Sequence, residues 1–314
     1  MTTRTDVELP GHGGTTLRGW LVLPDDPSAP EDTVSGLAGV VMAHGFSAVK
    51  EMRLDRFADV FARAGLAVLA YDHRNFGASD GEPRQEINPW AQARDYRYAI
   101  GWLAERPEVD AARIGVWGSS YSGGQVLAVG ACDRRVQAVV ANVPFAGFPD
   151  TDLGDVPDTT RRFELLRAAL LDEHGNGPAD TKQNAVGPLA VVEEPGDDRP
   201  AFLPHPESSE YFLKFSAHGP EPTSWRNEAT VVSAVSDPPW EPGVCAAQLA
   251  PAALMMIVAT HDHLVDTAVA ISAFDRAAEP KELVVIDGHH FSPYEGAGFD
   301  LASSATTRFF TTHL

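Results

Sequence analysis

The stretch Gly118-Ser119-Ser120-Tyr121-Ser122-Gly123-Gly124 decides the fold. It follows the apolar run at residues 114–117 and leads into a helix-like segment at residues 125–131, so the chain forms a strand, a tight turn and a helix. A serine at the apex of such a turn is strained and has an exposed hydroxyl, and small flanking residues let the strand and helix pack closely. Ser122 replaces the usual last glycine of this G-x-S-x-G pattern. The turn predicts that Ser120 is a nucleophile, although an ordinary glycine/serine turn has the same composition.

Buried strands and amphipathic helices alternate on both sides of this turn. Continuous apolar runs, which are typical of strands covered on both faces, lie at residues 39–43, 67–71, 114–117, 136–141, 254–259 and 283–286. Leu54, Phe57, Ala58 and Phe61 repeat at helical spacing, and so do the apolar residues between 96 and 103. Alternating stretches at 6–9 and 16–23 predict an antiparallel hairpin. The whole pattern predicts an α/β fold with a mostly parallel central sheet and helices on both faces.

The strand–helix alternation stops between about residues 145 and 244. This stretch is rich in Pro, Asp, Glu and Gly, with helix candidates around 162–173 and 210–215, and it is too long for a simple loop. We predict a catalytic domain made of residues 1–145 and 245–314, with residues 146–244 inserted as a cap. Phe163, Phe212 and Trp225 are candidates for the wall of a substrate pocket in this cap, although packing within the cap itself would use the same residues.

Composition argues against several classes of function. The 314 residues carry a net charge of −20 with no basic block, so neither nucleic acid nor an anionic membrane is expected as a partner. The first residues lack the apolar stretch of a signal peptide, and the longest apolar run, 250–259, is well short of the ~18 residues of a membrane span. Cys132 and Cys245 make neither a disulfide framework nor a thiol metal site. We expect a soluble, cytoplasmic protein.

Partners for the serine follow later strands. A serine hydroxyl needs a general base, and the base needs an orienting carboxylate, in the chain order serine, acid, histidine. Asp262 follows the strand at 254–259, and His289 and His290 follow the last strand. These positions share the carboxyl edge of a parallel sheet. Asp262 is preferred over Asp266, which fits a helix N-cap, and His290 is preferred over its neighbour. The sequence therefore predicts a triad.

Two further predictions complete the site. The tetrahedral intermediate of acyl transfer carries an oxyanion, which backbone N–H groups stabilise best. We expect those of Phe46, in the loop His44-Gly45-Phe46, and of Tyr121, directly after the nucleophile. The histidines around 261–263 and 289–290 raise the alternative of a metal site, but no helical H-x-x-x-H or H-E-x-x-H spacing occurs. We therefore expect neither a metal nor a cofactor.

Together these residues resemble the α/β-hydrolase superfamily, and the resemblance covers nearly the whole chain. The features that carry it are, in order, His44-Gly45-Phe46, the turn at 72–79, the Ser120 turn, Asp262 and Gly288-His289-His290-Phe291. Within the superfamily the chain is similar to bacterial dienelactone-hydrolase-like and X-prolyl-peptidase-like enzymes, and to the branch that contains fungal polyketide transferases. It departs from the usual pattern at Ser122, and at Asp266, where proline often follows the acid loop.

This resemblance implies a serine hydrolase that cleaves a carboxylic ester, lactone or thioester of a small-molecule acyl substrate. Ser120 would attack, His290 would carry the proton and Asp262 would hold the imidazole. An acyltransferase that uses the same acyl-enzyme is the first alternative. An X-Pro aminopeptidase, a C–C hydrolase and a non-catalytic ligand-binding module are the others, and the complete set of catalytic residues argues against the last. Relatives of this kind also suggest a homodimer.

Overall fold

The computed structural model describes residues 1–25, 36–148, 156–171, 188–234 and 239–314. Its strands are β1 (Thr2–Pro10), β2 (Thr16–Pro24), β3 (Leu37–Ala43), β4 (Ala67–Tyr71), β5 (Val109–Ser119), β6 (Val136–Asn142), β7 (Ala253–Ala259) and β8 (Lys281–Ile286). They form one sheet in the order β1-β2-β4-β3-β5-β6-β7-β8. The β1–β2 and β2–β4 pairs are antiparallel, and all the others are parallel. The predicted hairpin and the mostly parallel sheet are confirmed.

Helices cover both faces of this sheet. They are α1 (Leu54–Arg63), α2 (Pro89–Ala104), α3 (Tyr121–Cys132), α4 (Val156–Leu171), α5 (Pro206–Leu213), α6 (Thr267–Arg276) and α7 (Gly296–His313). Along β3, Val41 and Ala43 join the core under α2, α3 and α6, whereas Val40 and Met42 join the core under α1 and α7. Because both faces of the strand are buried, its sequence is a continuous apolar run and does not alternate.

Helix boundaries follow local chemistry. Asp266 caps α6, since its Oδ1 accepts hydrogen bonds from the amides of Ala268 (2.8 Å) and Val269 (3.0 Å), as the sequence predicts. Helix α3 begins at Tyr121, four residues earlier than its apolar pattern indicates, because the chain enters the helix directly from Ser120.

The described part of the insertion, residues 146–244, adds no strand to the sheet and packs against both of its faces. From α4, Phe163 and Leu166 enter the core under α2 and α3. From α5, Tyr211 and Phe212 enter the core under α1 and α7. The helix expected around 162–173 begins at Val156, and its last predicted residues lie outside the described ones. Among the described residues, no helix is both long and apolar enough to span a membrane.

Candidate active site

Ser120 lies on the sharp turn between β5 and α3. Its φ of 56° and ψ of −119° are strained for a residue with a side chain. The turn is crowded, because a Cβ atom on Gly118 would lie 2.2 Å from the carbonyl oxygen of Ser122. The chain after β6 supports it: the Ser120 amide donates to the Asn142 carbonyl (2.8 Å), and the Ser120 carbonyl accepts from the Phe145 amide (2.9 Å). The sequence therefore presents one serine in a conformation fixed by its neighbours.

The two neighbouring serines are buried and have other partners. The Ser119 hydroxyl is hydrogen bonded to the Tyr294 hydroxyl and accepts from Asn142 Nδ2 at 2.9 Å. The Ser122 hydroxyl lies 2.8 Å from the Tyr96 hydroxyl. This contact explains how a serine can replace the usual glycine, since its polar group is satisfied inside the core. Ser120, by contrast, is only half-buried and lines two cavities.

The structure brings Ser120, His290 and Asp262 together at the carboxyl edge of the sheet. His290 Nε2 lies 3.0 Å from Ser120 Oγ, and His290 Nδ1 lies 2.7 Å from Asp262 Oδ2. The side chains of the histidine and the aspartate are 2% and 1% exposed. The neighbouring His289 takes no part in this chain of hydrogen bonds and is about half exposed. The arrangement has the connectivity that a serine nucleophile, its base and an orienting acid require.

The environment of Asp262 keeps its carboxylate charged. Burial raises its pKa, but the charge and hydrogen bond of His290, together with the amides of Val265 and Leu264, outweigh burial and lower the pKa overall. These amides donate to Asp262 Oδ1 at 3.0 and 2.9 Å. A charged carboxylate at this point selects the His290 tautomer that carries its proton on Nδ1. Nε2 is then free to accept the proton of the Ser120 hydroxyl.

The loop after β3 lies directly against Ser120. A Cβ atom on Gly45 would lie 2.9 Å from Ser120 Cβ and 3.5 Å from its Oγ, so only glycine fits there. The next residue, Phe46, contacts the ring of Tyr121 edge to face, with centroids 5.7 Å apart. Tyr121 is the first residue of α3, where backbone amides have no partner within the helix. Both amides expected to bind an oxyanion therefore belong to residues flanking the serine.

Buried polar groups hold this loop in place. Burial lowers the pKa of His44 to about 4, so its ring is neutral near pH 7. Its Nδ1–H donates to the Gly45 carbonyl (2.9 Å), and its Nε2 accepts from the His73 amide (3.2 Å). The ring thus connects the loop after β3 to the end of β4.

A buried ion pair supports the same loop. Asp72 accepts from the backbone amide of Lys50 (2.7 Å), from Lys50 Nζ (2.6 Å) and from the Ala78 amide (2.9 Å). Burial lowers the pKa of Lys50, but the adjacent Asp72 outweighs it and raises the pKa, so the ammonium stays charged. Sequence reasoning missed this pair, although Lys50 is one of only four lysines in the chain and Asp72 begins the turn at 72–79 that helps to carry the family resemblance.

Two cavities of different size meet at Ser120. The smaller has a volume of about 30 Å³ and contacts His44, Gly45, Phe212, His290 and Tyr294. The larger has a volume of about 370 Å³ and is mostly apolar and aromatic; its wall includes Tyr121, Phe145, Phe148, Phe202, Trp240 and Val265. Phe46, Leu203 and Leu264 contact both cavities.

The three proposed pocket residues of the insertion occupy different places. Phe212 lies at the smaller cavity, and Trp225 packs behind it with ring centroids 5.2 Å apart. Phe163 lies in the core under α2 and α3. The aromatic composition of the insertion pointed to this part of the chain, but it did not identify the residues that form the wall of the larger cavity. Phe145 lies just after β6, directly before the insertion, and Trp240 lies near the end of the insertion, before β7. Their closeness to these two central strands is the signal that could have identified them.

Comparisons with known proteins agree with this architecture. The model of the X-Pro dipeptidyl-peptidase (S15) family matches residues 25–292. Thiohydrolase aneE of Aspergillus aculeatus is 28% identical, over 98% of this chain and 92% of its own. Polyketide transferase af380 of Aspergillus fumigatus is 29% identical, over 99% of both chains. The crystal structure of the α/β hydrolase GrgF from Penicillium sp. matches with a TM-score of 0.74 and 27% identity, over 99% of both chains. The chain is thus an enzyme with the α/β-hydrolase fold, and it belongs to the X-Pro dipeptidyl-peptidase (S15) family.

Proposed function

We propose that this enzyme hydrolyses esters, thioesters or lactones of apolar carboxylic acids through an acyl-enzyme on Ser120. The observation that carries the proposal is the hydrogen-bonded chain from Ser120 through His290 to Asp262, at the mouth of an apolar cavity. His290 Nε2 takes the hydroxyl proton as Ser120 attacks the carbonyl carbon, and then returns it to the leaving group. A water molecule activated by the same nitrogen then releases the acid.

The amides of Phe46 and Tyr121 stabilise the oxyanion in this proposal. The close approach of Gly45 to Ser120 supports the first assignment, and the position of Tyr121 at the start of α3 supports the second. The positive end of the helix dipole adds to the effect. The charge develops only in the transition state, so these donors lower the barrier without binding the substrate more tightly.

In this proposal, each of the two cavities binds a different part of the substrate. The larger cavity takes the apolar acyl group, because aromatic rings line it and its volume lies within the usual range of about 300–1,000 Å³ for ligand pockets. The smaller cavity holds a group no larger than a methyl or a water molecule. The described part of the insertion acts as the cap, and its residues Phe148, Phe202, Leu203 and Trp240 are among those that contact the acyl group.

Acyl transfer to an alcohol is the second candidate, and the likeness to polyketide transferase af380 favours it. Peptidase activity on X-Pro substrates is less well supported. Gripping a free amino terminus requires a carboxylate, and the described residues lining the two cavities include none.

A substrate series with a competing acceptor tests the proposal. The enzyme is assayed with p-nitrophenyl esters from acetyl to decanoyl, with matched acyl thioesters and lactones, and with X-Pro p-nitroanilide. We expect kcat/KM to rise with acyl length until the larger cavity is full, and free acid to be the product. If the added alcohol captures a larger fraction of the acyl groups than its mole fraction in the solvent, the enzyme is instead a transferase. Turnover of the X-Pro p-nitroanilide, without turnover of the esters, thioesters or lactones, would contradict both the hydrolase and the acyltransferase proposals.

A further inference from the structure

A second group of titratable side chains lies beside the catalytic residues. Glu207, in the first turn of α5, is surrounded by three imidazoles. Its Oε2 lies 3.9 Å from His205 Nδ1 and 3.8 Å from His289 Nδ1, and its Oε1 lies 3.8 Å from His263 Nε2. These separations are too long for hydrogen bonds. The carboxylate of Glu207 therefore faces three imidazoles without a hydrogen bond to any of them, although the Glu207 amide donates to His205 Nδ1 at 3.4 Å.

The group joins three separate segments of the chain. His205 and Glu207 belong to the insertion, His263 follows Asp262 in the loop after β7, and His289 precedes His290 in the loop after β8. No local ligand spacing indicates such a site in the sequence, because its donors meet only in the folded chain.

The distances are close to those of a metal site. The donor atoms of His205, Glu207 and His263 all lie within 4.8 Å of one another. Ligands in a tetrahedral zinc site, with bonds of about 2.1 Å, are about 3.4 Å apart. Side-chain movements of roughly 1 Å would therefore close the group around one ion. All three histidines are between one third and about one half exposed, so an ion can reach them from solvent.

One oxygen of the Glu207 carboxylate lacks a hydrogen bond. Its Oε2 is buried and accepts none from the residues that the structure describes. An unpaired buried carboxylate oxygen is unfavourable, and a cation is the partner that suits it best. The adjoining cleft adds negative charge, since Glu210, Asp287 and Glu295 outnumber Lys214 along its wall. This field raises the local concentration of cations.

We propose that His205, Glu207 and His263 bind one divalent transition-metal ion of the zinc type, with His289 or water in the fourth position. A donor set of imidazoles and one carboxylate suits Zn²⁺, Co²⁺ or Ni²⁺, whereas Mg²⁺ and Ca²⁺ prefer oxygen ligands. The ion would link the start of α5 to the loop that carries Asp262. Leu203 and Leu264 are close in sequence to these ligands and contact both cavities at Ser120. The bound ion would therefore fix one side of the substrate entrance.

Metal binding is tested on the full chain without an affinity tag. Protein stripped with EDTA and dialysed is titrated with ZnCl₂ by calorimetry, and its thermal unfolding is followed with and without the ion. CoCl₂ serves as a second probe, because tetrahedral Co²⁺ with nitrogen ligands absorbs visible light strongly. We expect one equivalent to bind and to raise the Tm, because the ion binds only the folded state.

Two ligand variants and a matched control locate the site. Glu207→Gln and His263→Ala should weaken Zn²⁺ binding by at least the roughly 10- to 100-fold that loss of an outer-shell partner costs. His261→Ala should bind Zn²⁺ as the parent does, because His261 is two residues from His263, is 72% exposed and lies outside the cluster. The Tm of each variant in EDTA shows whether it folds, and Glu207→Gln, which keeps the shape of the side chain, decides the test if His263→Ala unfolds.

Two results would overturn the proposal. One is equal Zn²⁺ affinity in the parent and Glu207→Gln. The other is a loss of binding in His261→Ala as large as in the ligand variants, which would indicate unspecific binding by surface histidines.

Discussion

The edge of the sheet and the insertion hold similar side chains in different ways. At the sheet edge, a carboxylate and an imidazole, Asp262 and His290, lie 2.7 Å apart and are almost fully buried. Where the insertion meets the sheet, Glu207 lies 3.8–3.9 Å from its three imidazoles and remains partly exposed. Hydrogen-bonded parallel strands carry both members of the first pair, whereas the second group forms only where α5 packs against the loops after those strands. We therefore expect changes at the sheet edge to cost far more than matched changes in the insertion.

The largest difference is expected between two isosteric carboxylate changes. Asp262→Asn should lower kcat by roughly 10⁴-fold, because an amide at this position stabilises the wrong His290 tautomer. Glu194 of the insertion also accepts a hydrogen bond, from Asn227 Nδ2 at 3.2 Å, but it lines neither cavity at Ser120. Glu194→Gln should therefore leave kcat close to that of the parent. Steady-state hydrolysis of one p-nitrophenyl ester measures both. Comparable losses in the two variants would remove the distinction between the regions.

Two lysines extend the comparison to stability. Lys50→Met leaves the carboxylate of Asp72 buried without its counterion and should cost about 3–5 kcal/mol of unfolding free energy. Lys214→Met in the insertion breaks a more exposed pair with Glu295 and should cost no more than about 1 kcal/mol. Urea denaturation at neutral pH gives both values. A Lys50 variant as stable as the parent would show that the loop does not depend on this ion pair.

The two regions should also differ in how their histidines make the free energy of unfolding depend on pH, by less than the two lysine variants differ in stability. The pKa of His44 falls from an unfolded value near 6.5 to about 4, so the unfolded state binds more protons between these values. Stability from this group is complete above pH 6.5 and decreases as the pH falls towards 4. From pH 7 to pH 5 the loss is about 2 kcal/mol.

Comparison with variants isolates this contribution, since the net charge of −20 also changes over the same range. His44→Asn should lose about 2 kcal/mol less than the parent between pH 7 and pH 5. His218→Asn, an exposed position in the insertion, should follow the parent curve. Parallel curves for all three proteins would contradict the assignment of a neutral, buried His44.

The smallest expected effect concerns specificity. Phe202→Ala, at the wall of the larger cavity, should change the ratio of kcat/KM between octanoyl and acetyl esters by about tenfold. Phe163→Leu removes volume from the core under α2 and should lower the Tm without changing that ratio. An unchanged ratio in the Phe202 variant would place the acyl group elsewhere.

The same contrast explains how much the sequence could predict. Strands β3, β4, β6 and β7, together with the second half of β5, were predictable because burial on both faces gives each a nearly continuous apolar run. Strand β8 also shows an apolar run, although it lies at the edge of the sheet and most of its residues are only half-buried. The positions of Ser120, Asp262 and His290 followed because parallel strands end at one edge. The order of the strands across the sheet did not follow from the sequence, and it is this order that brings the three residues within hydrogen-bond distance.

Features that depend on tertiary contacts were not predictable. Lys50 and Asp72 are 22 residues apart and meet only when β3 and β4 pair. Helix α7 buries Ser303 and Thr306 among its apolar residues, so its sequence does not show a continuous apolar periodicity. The wall of the larger cavity combines Phe145 and Trp240, which lie almost a hundred residues apart in the chain, with residues at the carboxyl edge of the sheet.

Covalent labelling tests the central claim most directly. A fluorophosphonate is added to the folded parent protein, and the modified peptide is sequenced by mass spectrometry. The strained turn and the contact with His290 predict that Ser120 alone is labelled, because Ser119 and Ser122 are buried and hydrogen bonded to tyrosines. Ser120→Ala should fold with the parent Tm, take no label and lose at least about 10³-fold in kcat. Labelling of Ser119 or Ser122, or full activity in Ser120→Ala, would contradict the account.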